Sequence, residues 1–169
     1  MAKKIIPIKN YVIAFGVVIL IICGCFAFYN LYHIYQENKI STSPLANKEI
    51  LYVDLKNATD DVDADTFLLI SYVEDKNVHN NELEIKKYLN KKNLLNNVLY
   101  LNATEYLNDE NFIKDINSTL GLKDNLNIEV LPAVVYYRDG AVAYTIDSKD
   151  HIINKGDFEH IVDMYELAS

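Results

Sequence analysis

Residues 128–142 read IEVLPAVVYYRDGAV, two apolar runs rich in Val and Tyr on either side of Arg138-Asp139-Gly140. This turn tripeptide between apolar runs predicts a β-hairpin. Pro132 is the odd residue. It has no backbone donor, so it belongs at a strand start, on an edge strand or after a cis bond rather than inside a ladder. What stands before this hairpin therefore decides what sheet it joins.

Working back along the chain, Asn108 is expected to cap a helix with Phe112, Ile113, Ile116 and Leu120 inward and Gly121 just past its end. Asn97 to Ala103 (NVLYLNA) reads as a buried strand, and Asn80 to Lys92 as a helix with Leu83, Ile85, Tyr88 and Leu89 on one side. Thr66 to Val73 (TFLLISYV) is a near-continuous apolar run of strand length, as expected of a strand covered on both faces. Glu49 to Leu55 (EILYVDL) alternates and adds one more strand. After the hairpin, a helix is expected from about Gly156 to Leu167, with Phe158, Ile161, Val162 and Tyr165 on its apolar face. The order from Thr66 is β-α-β-α-β-β-α. Strand-helix-strand links impose parallel pairing and the hairpin adds antiparallel strands, which gives an α/β sandwich of a mixed four- to five-stranded sheet with helices on both faces.

The N-terminal part is of another kind. Between Lys9 and Glu37 no residue carries a formal charge, and Tyr11 to Tyr29 (YVIAFGVVILIICGCFAFY) is long and apolar enough to cross about 30 Å of hydrocarbon. The expected organisation is a cytoplasmic N-terminus over 1–10, a transmembrane helix over 11–33, a linker over 34–48 and an extracytoplasmic domain over 49–169. Lys3, Lys4 and Lys9 precede the span while Glu37 and Lys39 cancel behind it, which orients a single-pass protein with its N-terminus inside the cell membrane. A cleaved signal peptide and a lipid anchor at Cys25 are the competing readings. From Lys48 onward 12 Lys and Arg face 23 Asp and Glu, a net of −11, so nucleic acid is excluded as a partner.

Pro132 opening the last strand pair, after a β-α-β-α order, resembles the thioredoxin family over roughly the last hundred residues. That resemblance implies a cis bond before Pro132, with Leu131 the residue whose backbone faces partners. Ala133 stands where a Thr is often found. Tyr72 takes the place of the aromatic residue before the family's Cys-x-x-Cys pair, and Lys76-Asn77-Val78-His79 takes the place of the pair itself. Ile70 falls where many members bury an acid. The only cysteines are Cys23 and Cys25, inside the apolar segment, and thiol–disulfide exchange requires a thiolate attacker. The expectation is a redox-inactive, membrane-anchored thioredoxin-like domain of an AT-rich bacterium. It would act as a protein- or peptide-binding or chaperone-like module, without cofactor, and receive its partner at Tyr72, Lys76, His79, Leu131 and Pro132. The alternative is a non-thiol enzyme on the same fold using Lys76 or His79; no second catalytic group stands beside them in sequence, and acid–base or nucleophilic catalysis needs a positioned partner.

Other chemistry finds little support. The acidic loop Thr59-Asp60-Asp61-Val62-Asp63-Ala64-Asp65 alternates carboxylates, but Thr66 and Tyr72 stand where a calcium-binding loop counted from Asp61 needs Gly and a bidentate Glu. His33, His79, His151 and His160 have no zinc-ligand spacing, and neither a phosphate-binding glycine loop nor a Gly-x-Ser-x-Gly elbow occurs.

Overall fold

The computed structural model of the chain describes residues 8–62 and 64–167, and the side chains of all of these but 36–39. Lys3, Lys4 and Asp63, and the side chains of Glu37 and Lys39, lie outside the described residues. The chain divides into two units, 1–39 and 40–169. In the first, helix α1 (Ile8–Ile40) carries a 28-residue apolar span, Ile8–Tyr35, about 42 Å long at 1.5 Å per residue. That is long and apolar enough to cross a membrane. Phe15, Leu20, Phe26 and Phe28 are all exposed along it.

The second unit is a five-stranded mixed sheet between two layers of helices. Its strands are β1 (Glu49–Ile50), β2 (Thr66–Ser71), β3 (Val98–Asn102), β4 (Ala133–Arg138) and β5 (Ala141–Asp147), in the order β1-β3-β2-β4-β5. β1, β3 and β2 run parallel, with Phe67 opposite Val98 and Ile70 opposite Leu101, while β4 pairs antiparallel to β2, with Ile70 opposite Ala133. The turn from β4 to β5 is the two-residue Asp139-Gly140, both at positive φ (52° and 76°), as the hairpin's twist demands. A side chain at position 140 would meet the Val62 carbonyl at 3.2 Å, so glycine is doubly required there.

Alternation along the central strands divides the core between the two faces. Phe67, Leu69, Val134 and Tyr136 pack with Ile85 and Leu89 of α3 (Lys76–Lys91) and with Phe158, Ile161 and Val162 of α5 (Lys155–Met164). Leu68, Ile70, Val135 and Tyr137 pack with Leu55 of α2 (Leu55–Asp60) and with Phe112 and Ile116 of α4 (Phe112–Thr119). A strand buried on both faces is apolar along both, which is why FLLI in TFLLIS shows no alternation.

Helix ends follow local hydrogen-bonding needs. The Asp75 carboxylate accepts from the Asn77 and Val78 amides at 2.7 and 3.0 Å and starts α3 four residues before the expected Asn80. Asn154 and Asp157 form a reciprocal capping box at the start of α5. The Leu122 amide bonds the Asn117 carbonyl and the Gly121 amide that of Ser118, with Gly121 at φ 61°, so α4 ends where glycine makes a left-handed turn possible. Its start, however, is at Asn111 rather than Asn108.

Two expectations change between α1 and β2. Glu49–Leu55 is a strand only at Glu49–Ile50; a 3₁₀ turn over Tyr52–Asp54 and helix α2 follow. Leu51 and Val53 are exposed while Ile50 and Tyr52 are half-buried against the Phe112 cluster, but from Leu55 the burial follows a helical turn, with Leu55 and Thr59 buried. The residues expected as a linker also differ: α1 runs through Ile40, and Ser43 and Leu45 are buried in the fold.

Candidate functional site

The site forms where the central strands end together. Antiparallel pairing sets the end of β2 beside the start of β4, and the chain continues into Tyr72 on one side and leads in from Leu131 on the other. Past Ser71 the Val73 amide donates to Thr104 Oγ1 (2.9 Å), Glu74 turns the chain at φ 72°, and α3 begins at Lys76. The Leu131–Pro132 bond is cis. Around it the backbone is held by side chains: Ser148 Oγ donates to the Pro132 carbonyl (2.7 Å), and Asp147 Oδ2 accepts from the Glu129 and Val130 amides (2.7 and 3.2 Å). Lys149 pairs with Glu129 across the same loop.

Between these segments lies an open groove of about 390 Å³, lined by Tyr72, Tyr106, Leu107, Phe112, Val130 and Leu131 among others, with Asp109 and Glu129 as its charged members. Tyr106 stacks on Phe112 at 4.8 Å between ring centres, nearly parallel, and Tyr52 tilts against both. Leu107 and Val130 are 47% and 40% exposed, so the groove presents apolar surface to solvent. Burial, helped by the nearby Asp75 carboxylate, raises the Tyr72 phenol above its ordinary pKa.

Of the five residues singled out in the sequence, the groove joins two, Tyr72 and Leu131. Pro132 is buried behind it, Lys76 is exposed at the first position of α3, and His79 is buried one turn further on. Sequence reasoning missed Tyr106, Leu107 and Val130. No periodicity in the sequence marks them: Tyr106 ends a 3₁₀ turn and Leu107 and Val130 lie outside helices and strands. Among the described residues no cluster of His, Cys, Asp and Glu could hold a metal ion.

The parallel β1-β3-β2 half, the antiparallel β4-β5 hairpin behind a proline and the helices on both faces define a thioredoxin-like fold. The crystal structure of Chlamydomonas reinhardtii thioredoxin f2 superposes with a TM-score of 0.50 at 11% identity, over 72% of this chain and 97% of that one. Thioredoxin O2 from Arabidopsis thaliana in the oxidized state matches at 10% identity and a TM-score of 0.46, over 72% and 96%. At such identities the likeness is one of fold. No protein-family model matches the sequence, and neither does any curated protein.

Proposed function

We propose that this chain is a membrane-anchored thioredoxin-like domain, exposed on the outer side of a bacterial cell membrane, that binds an extended peptide segment and performs no thiol chemistry. The observation that carries the reading is the apolar groove against Leu131; it is supported by the resemblance, which assigns Lys76 and His79 to the redox positions, and by the only thiols, Cys23 and Cys25, lying in α1. Exposed aromatic and aliphatic walls favour a partner with a large apolar side chain, and Asp109 and Glu129, in a domain of net charge −11, favour basic residues flanking it. Extended backbone entering beside Leu131 can add main-chain hydrogen bonds to those contacts.

Leu107→Glu and Val130→Glu change two exposed groove residues without touching the core. Each should reduce recovery of a crosslinked partner from membranes about tenfold or more, the loss expected for burying a carboxylate in an apolar contact, whereas Lys91→Glu on α3 should not. Equal recovery from all three variants would refute the reading.

A further inference from the structure

We infer that Glu82 is a proton-operated latch: neutral, it holds the segment that follows α1 against the fold, and ionised, it lets that segment go. Glu82 lies on the inner face of α3 and is only 3% exposed. Its Oε2 accepts from Ser43 Oγ at 2.5 Å, and the same hydroxyl oxygen accepts from the Leu45 amide at 3.0 Å, so one buried carboxyl fixes the backbone turn of that segment. Leu45, the next side chain inward, is fully buried, and Lys86, one turn on from Glu82, donates to the Pro44 carbonyl at 2.6 Å.

What faces the carboxyl matters as much as what binds it. Ser71 comes from β2, Tyr100 from β3 and Ser43 from the latched segment; Glu49 of β1 weighs on Tyr100, and His79 lies buried one turn before Glu82 on α3. Among the described residues, burial, Ser43 and Ser71 are what act on Glu82, with no Lys or Arg among them. Ser71 Oγ, Glu82 Oε1 and the Tyr100 hydroxyl have no hydrogen-bond partner among the described residues. Ser71 is nevertheless near enough to favour the charged form, as Ser43 does, but burial outweighs both and raises Glu82 above the ordinary carboxylate range.

A buried carboxylate without a cation must be relieved by rehydration. The cover able to yield is the one outside the sheet. β2 and β3 are inner strands of the sheet, whereas residues 41–48 lead into a two-residue edge strand.

The test uses the full chain in lipid nanodiscs, with carbon-13 NMR of the Glu82 carboxyl and of leucine methyl groups across pH. The Leu45 methyl signals should move toward those of exposed Leu51 with the same midpoint as Glu82, above the ordinary glutamate range, while those of Leu89 stay in place. Glu82→Gln keeps an acceptor for Ser43 and cannot ionise, so Leu45 should then hold its position at every pH. Ser43→Ala removes a bond to the charged form and should raise the Glu82 midpoint. A Glu82 that titrates with Leu45 unmoved, one that stays neutral until the whole fold melts, or a Leu45 transition that survives Glu82→Gln would each overturn the inference.

Discussion

Leu45→Ala asks whether the residues after α1 belong to the fold or merely connect to it. Leu45 is 0% exposed and belongs to the same buried cluster as Phe67, Leu89, Tyr100 and Phe158. Truncating a fully buried leucine costs about 3 kcal/mol, from lost transfer energy and the cavity left behind. For a fold of roughly 120 residues, at about 2.1 cal/mol/K of unfolding entropy per residue, that lowers the melting temperature by about 10 °C. With 13 tyrosines and no tryptophan, near-ultraviolet circular dichroism of the tyrosines reports the packing directly. Val53→Ala is the control: Val53 is 81% exposed, and its truncation should change stability by less than about 0.5 kcal/mol. A Leu45→Ala protein melting within about 3 °C of the parent would show that the segment is a linker after all.

Glu82→Gln should stabilise the fold in a pH-dependent way. A carboxyl whose folded pKa is raised contributes stability below its unfolded pKa and loses that contribution as pH rises to the folded value, so the two proteins should diverge through that window. A difference independent of pH would contradict the upward shift that burial gives Glu82. The chain should not reduce insulin disulfides in any redox buffer, because its only thiols lie in α1. Installing Lys76→Cys with His79→Cys at the capped start of α3 should create a disulfide-forming pair; a pair that stays reduced under oxidising buffer would argue against the assignment of these positions. Protease added to spheroplasts should digest the domain from outside, and protection would reverse the proposed orientation.

The sequence carried the fold further than the site. TFLLIS, the Asp-Gly turn and Gly121 each state a local requirement that the chain meets where it was read: burial on both faces, positive φ in a tight turn, and a left-handed helix end. EILYVDL misled because alternation over seven residues is equally compatible with a short bridge followed by a helical turn, and the burial of Thr59 one turn after Leu55 is what separates them. Tyr72 and Leu131 were legible from the resemblance. Tyr106, Leu107 and Val130 were not, since they lie in a 3₁₀ turn and loops, where the groove depends on how two distant segments approach and no periodicity records it. Glu82 reads as an ordinary polar position on a helix; its burial arises from Ser43 and Leu45, nearly forty residues away.

The most direct test of peptide binding at this groove is site-specific photocrosslinking in the intact membrane, with a photoreactive residue placed singly at Leu107, Val130, Val53 or Lys91. Leu107 and Val130 line the groove and are exposed, while Val53 and Lys91 are exposed and lie outside it. The account predicts adducts to one discrete protein from Leu107 and Val130, joined through an extended segment with a large apolar side chain and basic neighbours, and none from Val53 or Lys91. Adducts of equal yield from all four positions, or none from the groove, would contradict it.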